Sequence, residues 1–120
     1  MYNWEKLIKV GAKGCAESEY GRNLMEKMMR MYDKEWYVKL VGHGFKILAE
    51  AWESNRNYDM DCPTIILCGT EDKAGTAKKY DIKWSELTGI PLIWIEGAGH
   101  NSNTDKPEEV NKIIEDFIQD

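Results

Sequence analysis

Two ionisable residues, Asp72 and His100, each follow a short apolar run of the kind that forms a buried strand. Asp72 lies in the segment GTED after the run Thr64–Cys68, and His100 lies in the segment GAGH after the run Leu92–Ile95. A histidine can accept a proton from a hydroxyl near neutral pH, and a neighbouring carboxylate fixes its tautomer and stabilises the imidazolium that forms. The two residues therefore predict an acid–base pair, provided that the surrounding elements bring their loops together.

The segment between the two runs predicts a crossover helix. Its apolar positions fall on one helical face: Ala77, Tyr80, Trp84 and Leu87. Gly89 and Pro91 predict the end of this helix, since glycine is permissive just past a helix end and proline cannot continue it. A last helix is predicted to begin near Pro107. The order is strand, helix, strand, helix, which predicts parallel strands with both ionisable residues at their carboxyl ends.

Each ionisable residue also has a purely structural interpretation. Asp72 could cap a turn, and His100 could be a loop histidine satisfied by backbone groups. Glu71 is an alternative acid, but we expect the side chain of this adjacent residue to point elsewhere. His43 lies in LVGHGF with Gly44 after it, where an attacking residue would stand, and helical periodicity surrounds it. We interpret His43 as an exposed or helix-end histidine.

The first half of the chain shows helical periodicity and no strand signal. One helix is predicted over Tyr20–Tyr32 and another over Asp33–Trp52, which Gly42 and Gly44 are expected to bend or break. The methionines and tryptophans here suit either an ordinary core between helices or an adaptable apolar pocket. As residues that would line such a pocket we name Met28, Trp36 and Trp52.

A polar, turn-like stretch, Asn55–Met60, predicts a boundary within the chain. It separates a helical segment, residues 1–57, from an α/β portion, residues 58–120. Pro63 follows it at the start of the first predicted strand, a position that tolerates proline.

Composition narrows the classes of function. The net charge of −5 and the pI near 5.1 argue against nucleic-acid binding, because no basic face is visible to neutralise phosphates. No apolar run approaches the ~18–20 residues that span a bilayer, and no signal-peptide layout is present. We therefore expect a cytoplasmic protein without a membrane span. Three cysteines without a CxxC pair predict neither a disulfide framework nor a metal site, and no cofactor is expected; Cys68 should be a buried thiol.

Three segments in this order, CPTIILCGTEDKAG, GAGHNSN and DKPEEVNKIIEDFI, resemble the C-terminal part of an α/β-hydrolase. The resemblance covers about half of the chain and implies that Asp72 is the catalytic acid and His100 the catalytic histidine of a Ser-His-Asp acyl hydrolase. The helical N-terminal segment is similar in kind to the family's lid. The expected fold class is α/β, a partial α/β-hydrolase fold in which a helical lid-like segment precedes strand, helix, strand, helix with parallel strands.

The family's nucleophile has no counterpart in these 120 residues. In the family it lies in G-x-S-x-G, ahead of the acid and the histidine, and that motif does not occur here. The serines lie in polar contexts, inside a predicted helix or just past the histidine: Ser18, Ser54, Ser85 and Ser102. We expect the chain to be the lid and C-terminal part of a larger fold, supplying two of three catalytic groups for an ester or amide bond and inactive alone.

Two strands are too few for an independent sheet, because an edge remains open and apolar helix faces remain uncovered. We therefore expect the chain to associate with a copy of itself or with a complementary N-terminal hydrolase chain, and to act on a small apolar acyl substrate. The alternative is a non-catalytic binding or assembly module that retains part of the hydrolase fold. A flavodoxin-like or receiver-like domain fits less well, because it needs about five strands.

Overall fold

A computed structural model of the protein describes residues 3–54 and 60–119. The described residues form six helices and two strands, which run in the order α1 (Trp4–Cys15), α2 (Glu19–Met29), α3 (Lys34–Glu53), β1 (Ile66–Gly69), α4 (Ala77–Thr88), β2 (Leu92–Ile95), α5 (Ser102–Asp105) and α6 (Pro107–Gln119). The fold is therefore a mixed helical structure with a small parallel sheet, which is compatible with part of an α/β fold.

The two strands pair in parallel, as predicted, with Ile66 opposite Leu92 and Gly69 opposite Ile95. The crossover helix α4 packs against both strands. β1 begins at Ile66, so the prediction that Pro63 starts the strand is wrong. In this register Thr64 and the residue after it would lie opposite Ile90 and Pro91. Pro91 has no N–H group, and its carbonyl already accepts the first interstrand bond, from the Ile66 amide.

Two predicted helix boundaries in the C-terminal half are confirmed. Gly89 caps the C-terminus of α4 with φ of 74°, and its N–H donates to the Ser85 carbonyl. Helix α6 begins at Pro107, and its first turn carries Glu108 and Glu109, which the positive end of the helix dipole stabilises. The buried residues Ile95, Ala98 and Val110 form a cluster where the second strand and the loop after it meet α6.

The N-terminal half begins with a helical hairpin. Helices α1 and α2 pack together, with Ile8 and Ala12 of the first and Met29 of the second buried. The predicted helix over Tyr20–Tyr32 corresponds to α2. Each of the first three helices has a side-chain N-cap, and the capping residues are Asn3, Ser18 and Asp33.

Helix α3 is uninterrupted over 20 residues, so the expected break at Gly42 and Gly44 is wrong. A glycine costs a helix only about 1 kcal/mol relative to alanine, which a helix of this length can absorb. No residue of α3 is buried. Seven of its large apolar side chains are more than half exposed: Trp36, Val38, Leu40, Phe45, Ile47, Leu48 and Trp52.

The chain leaves much of its surface uncovered. Its accessible surface is 9149 Å², whereas a compact monomer of 13.9 kDa would expose about 6,700 Å². Its radius of gyration is 16.0 Å, against about 13.5 Å for a compact domain of this length. None of the described helices is both long and apolar enough to cross a membrane. Of the predicted boundary Asn55–Met60, only Met60 belongs to the described residues.

Candidate functional site

The side chains of Asp72 and His100 are in contact. The Nδ1 atom of His100 lies 2.9 Å from the Oδ2 atom of Asp72. The Asp72 side chain is 5% exposed and the His100 side chain 45% exposed. The expected meeting of the two loops at neighbouring strand ends is thus present, with the carboxylate enclosed and the imidazole reachable from outside. Their catalytic roles remain predictions.

Close contact between the end of β1 and the loop after β2 brings the pair together. The Glu71 amide donates to the Ala98 carbonyl at 2.9 Å, and the Gly97 amide donates to the Thr70 hydroxyl at 2.9 Å. A Cβ atom on Gly69 would lie 2.2 Å from the Ala98 carbonyl oxygen, so only glycine fits at this point. Gly69, the glycine of GTED, therefore allows the close approach of the two loops.

A local turn fixes the orientation of the carboxylate. The Oδ1 atom of Asp72 accepts the Ala74 amide at 2.7 Å, which leaves Oδ2 for His100. The turn-capping interpretation of Asp72 is therefore confirmed and is compatible with its contact to His100, whose acid–base role stays a prediction. Because a carboxylate only accepts, Nδ1 of His100 carries the hydrogen, and in the neutral ring Nε2 then has the lone pair. A ring in this tautomer can accept a proton at Nε2.

The two competing candidates lie away from this contact. Glu71 is exposed and its carboxylate lies 3.5 Å from the ammonium of Lys73, so its side chain points elsewhere, as expected. His43 is exposed on α3, which agrees with our interpretation of it as an exposed histidine.

No hydroxyl or thiol among residues 3–54 and 60–119 forms a hydrogen bond with Nε2 of His100. Ser18 Oγ donates to Asp105 and accepts the Gly21 amide, so its hydroxyl is fully used in structure. The hydroxyls of Ser54 and Ser85 donate to backbone carbonyls at 2.7 Å, each near a helix end. Ser102 begins α5.

The cysteines are free thiols, and two of them are held in the protonated form. Burial, reinforced by the Asp72 carboxylate, raises the pKa of Cys15. Burial also raises the pKa of Cys68 to about 11, with help from Asp81, and the predicted buried position of Cys68 is confirmed. Because the thiolate is the nucleophile, neither sulfur is activated. The described part of the chain holds no group of three or more potential metal-ligating side chains suited to an ion.

The three residues named as pocket-lining candidates lie apart. Trp36 and Trp52 occupy opposite ends of α3, about 24 Å apart at a rise of 1.5 Å per residue. The Trp52 ring packs edge-on against Tyr80, with centroids 5.7 Å apart. Met28 borders a shallow cavity of about 210 Å³ between α2 and the segment after His100. Met28 thus lines a cavity together with Asn101, the residue after His100, and the substrate role of all three residues stays a prediction.

Sequence reasoning missed Asp105, which connects the site to the helical hairpin. Its carboxylate accepts hydrogen bonds from the Glu17 and Ser18 amides, from the Ser18 hydroxyl and from the Gly99 amide. The local pattern, an acidic residue two positions before Pro107, resembles a helix-start signal and hides this role. Its partners are up to 88 residues away in sequence, so no local pattern could have indicated them.

Two relatives show partial similarity to the chain. It is 25% identical over 111 residues to the (E)-2-((N-methylformamido)methylene)succinate hydrolase of Acinetobacter baylyi, a match that covers 83% of this chain. It is 34% identical over 58 residues, 48% of its length, to ABHD14B of Rattus norvegicus, described as a candidate protein-lysine deacylase. The matches span only 40% and 27% of these proteins.

No family model matches the chain, and no solved structure matches it. The two relatives are members of the α/β-hydrolase family, so the chain has a distant, partial similarity to that family over part of its length.

Proposed function

We propose that the chain supplies the acid–base half of an acyl hydrolase, with His100 as general base and Asp72 as the acid that orients it. The hydroxyl nucleophile comes from residues outside this sequence. The single observation that carries the proposal is the 2.9 Å contact between His100 Nδ1 and Asp72 Oδ2 at the ends of two parallel strands. Both relatives, one named a hydrolase and the other a candidate deacylase, support the same reaction type.

The chemistry follows from the ring orientation. Nε2 of His100 takes the proton of the attacking hydroxyl, while the oxygen of that hydroxyl bonds to the acyl carbon of an ester or amide. The imidazolium that forms is stabilised by the Asp72 carboxylate and then gives its proton to the leaving group. Water, activated by the same nitrogen, finally cleaves the acyl intermediate. The exposed His100 ring leaves room for the nucleophile and the substrate to approach.

The uncovered surface supports completion of the fold by a further segment or chain. The amides of Ile66 and Thr70 donate to β2. In a parallel ladder, the backbone groups of the intervening Leu67 point toward the opposite, open edge of the sheet. The exposed apolar side chains of α3 form a second surface that no described residue covers. A complementary hydrolase segment would cover both surfaces, and a second copy of this chain would cover them when that segment is missing. The proposed substrate is a small apolar acyl compound.

A chimera tests the proposed function. This chain would replace the matched region of the Acinetobacter baylyi hydrolase, so that the remainder of that protein supplies the nucleophile. We expect hydrolysis of a nitrophenyl ester that His100→Gln abolishes and His43→Gln, a matched change on exposed α3, leaves unchanged. The isolated chain should show no turnover that depends on His100. Equal activity of a folded chimera with and without His100 would contradict the proposal.

A non-catalytic assembly module is the second candidate, and the exposed apolar side chains of α3 favour it. Such a module would associate with itself or with a partner through α3 and would need no nucleophile. An inert but folded chimera, together with strong self-association of the isolated chain, would favour the module over the hydrolase.

A further inference from the structure

We infer that Asp105 is a positioning residue for His100: its carboxylate fastens the histidine loop to the α1–α2 corner and thereby holds the imidazole on Asp72. The α1–α2 corner is the link Cys15–Ser18, and the histidine loop is Glu96–Asn101. The inference rests on the proposed function of His100 as the general base. The contacts from which it is drawn are independent of that function.

The Asp105 carboxylate bridges two separate parts of the chain. Oδ1 accepts the Ser18 amide at 2.8 Å and the Ser18 hydroxyl at 2.6 Å. Oδ2 accepts the Glu17 amide at 2.9 Å and the Gly99 amide at 2.8 Å. Three donors therefore come from the α1–α2 corner and one from the residue directly before His100. Hydrogen bonds to a charged acceptor are stronger than neutral ones, so this bridge is a firm one.

The other flank of His100 is fastened to the same corner. The Asn101 amide donates to the Cys15 carbonyl at 2.7 Å. The amides immediately before and after His100 are thus both tied to the corner, one through Asp105 and one directly. Because its backbone is held on both sides, His100 keeps its Cβ atom at a fixed position from which the ring reaches Asp72.

Two glycines allow the chain to approach the carboxylate closely. A Cβ atom on Gly99 would lie 3.2 Å from Oδ2, and a Cβ atom on Gly21 would lie 2.8 Å from Oδ1. Asp105 has no ion pair with a described lysine, arginine or histidine, so N–H and O–H donors balance its charge. Burial raises the pKa of Asp105, but the bonds from Glu17, Ser18 and Gly99 outweigh it and hold that pKa below its usual value. The carboxylate is therefore ionised at neutral pH and partly buried.

The tautomer of His100, read from long-range ¹H–¹⁵N spectra at pH 8, tests the inference without any activity. The chain has two histidines, and the exposed His43 is an internal reference. In the wild type, His100 should strongly favour the Nδ1–H form, because Asp72 accepts that hydrogen. Asp105→Asn keeps one acceptor oxygen and turns an amide toward donors, so it must release Gly99 or Ser18. We expect the ratio of the Nδ1–H to the Nε2–H form to fall by about fivefold, the equivalent of one hydrogen bond.

Two control variants separate positioning from general loosening. Asp116→Asn makes the same charge change on an exposed carboxylate of α6. Ser18→Ala removes a donor from the corner side of the bridge and the N-cap of α2 but keeps the bond between Asp105 and Gly99. Asp116→Asn should leave the His100 ratio within about twofold of the wild type, a difference smaller than one hydrogen bond. Ser18→Ala keeps three of the four bonds to the carboxylate and should lower the ratio less than Asp105→Asn does.

Gly21→Ala provides a second test if Asp105→Asn does not fold. The new methyl group would lie 2.8 Å from Asp105 Oδ1 and 2.9 Å from both Ala16 Cβ and Ser18 Oγ, so it would displace the corner side of the bridge, whereas Gly14→Ala meets no atom within 4 Å. The ratio of the Nδ1–H to the Nε2–H form of His100 should fall in Gly21→Ala and remain at the wild-type value in Gly14→Ala. A wild-type ratio in every folded variant that disturbs Asp105 overturns the inference and leaves the proposed function intact. A wild type without the Nδ1–H preference contradicts the acid–base pair itself, and both proposals fail.

Discussion

The loops around Asp72 and His100 and the helix α3 differ in how their polar and apolar groups are satisfied. In the loops, backbone amides find specific acceptors across long sequence distances, as Glu71 does with Ala98 and Asn101 with Cys15. Along α3 the backbone is satisfied within the helix, while large apolar side chains such as Phe45 and Trp36 remain exposed. The described residues thus form a candidate site with specific hydrogen bonds, whereas the apolar side chains of α3 are exposed.

This contrast indicates where the chain tolerates change. A defined hydrogen-bonded site is sensitive to displacements of a few tenths of an ångström, whereas an exposed helix responds mainly to propensity and to association. Matched substitutions in the two regions should therefore have opposite or very different effects.

The largest effect is expected for Gly69→Ala. The added methyl group would lie 2.2 Å from the Ala98 carbonyl oxygen and 2.3 Å from that of Gly99, which forces the two loops apart. We expect the free energy of unfolding to fall by about 3 kcal/mol. The same change at Gly42 of α3 meets no atom within 4 Å and should raise stability by about 1 kcal/mol. Urea unfolding at one protein concentration measures both, and equal effects would remove the contrast.

Association should depend on α3 and not on the site. At micromolar concentration we expect the wild-type chain to sediment as a species larger than a monomer. The double change Phe45→Glu and Leu48→Glu on α3 should weaken association at least about 30-fold, since it puts charges in an apolar contact. Lys39→Gln and Lys46→Gln together change the net charge equally on the same helix and should have little effect. A wild type that is monomeric with fully cooperative unfolding would contradict this prediction.

Stability should depend on pH through Asp105. The pKa of this carboxyl is lowered in the folded chain, while in the unfolded chain it is about 3.9. Between these two pKa values the unfolded state therefore binds more protons than the folded state. The stabilisation that Asp105 contributes is complete above about pH 5 and is lost as the pH falls through its folded-state pKa. Asp105→Asn should flatten the dependence, and Asp116→Asn should preserve most of it. Urea unfolding between pH 3 and pH 7 gives the comparison; an unchanged slope in Asp105→Asn would refute it.

The smallest effect is expected for the ion pairs that also join the corner to the acid loop. The Lys73 ammonium lies 3.3 Å from Glu17 and 3.5 Å from Glu71, and its side chain is 69% exposed. Exposed pairs contribute about 0.2–1 kcal/mol, so Lys73→Ala should change the free energy of unfolding by less than about 1 kcal/mol. A larger loss would mean that surface charge, not Asp105, holds the corner in place.

The sequence predicted those features that depend on short-range patterns. The apolar runs, the glycine and proline after α4 and the proline at the start of α6 predicted the order of the C-terminal elements and the parallel pairing. The spacing of Asp72 and His100 after their strands predicted that the two side chains meet, because parallel strands end at one edge.

Features that depend on contacts with residues distant in the sequence could not be predicted in the same way. The start of β1 follows from its register with Pro91, and the role of Asp105 follows from residues 87 and 88 positions away. Helix α3 continues through Gly42 because the helix propensity summed over all its residues outweighs the cost of one glycine.

The most direct test of the central claim is the effect of Asp72→Asn on kcat in the hydrolase chimera. If the carboxylate holds His100 in the Nδ1–H tautomer, Asn should reduce kcat by about 10⁴-fold with KM nearly unchanged. Glu71→Gln, an adjacent exposed change, should have no effect. A kcat within a few-fold of the wild type in Asp72→Asn would mean that the 2.9 Å contact supports the loop and not catalysis.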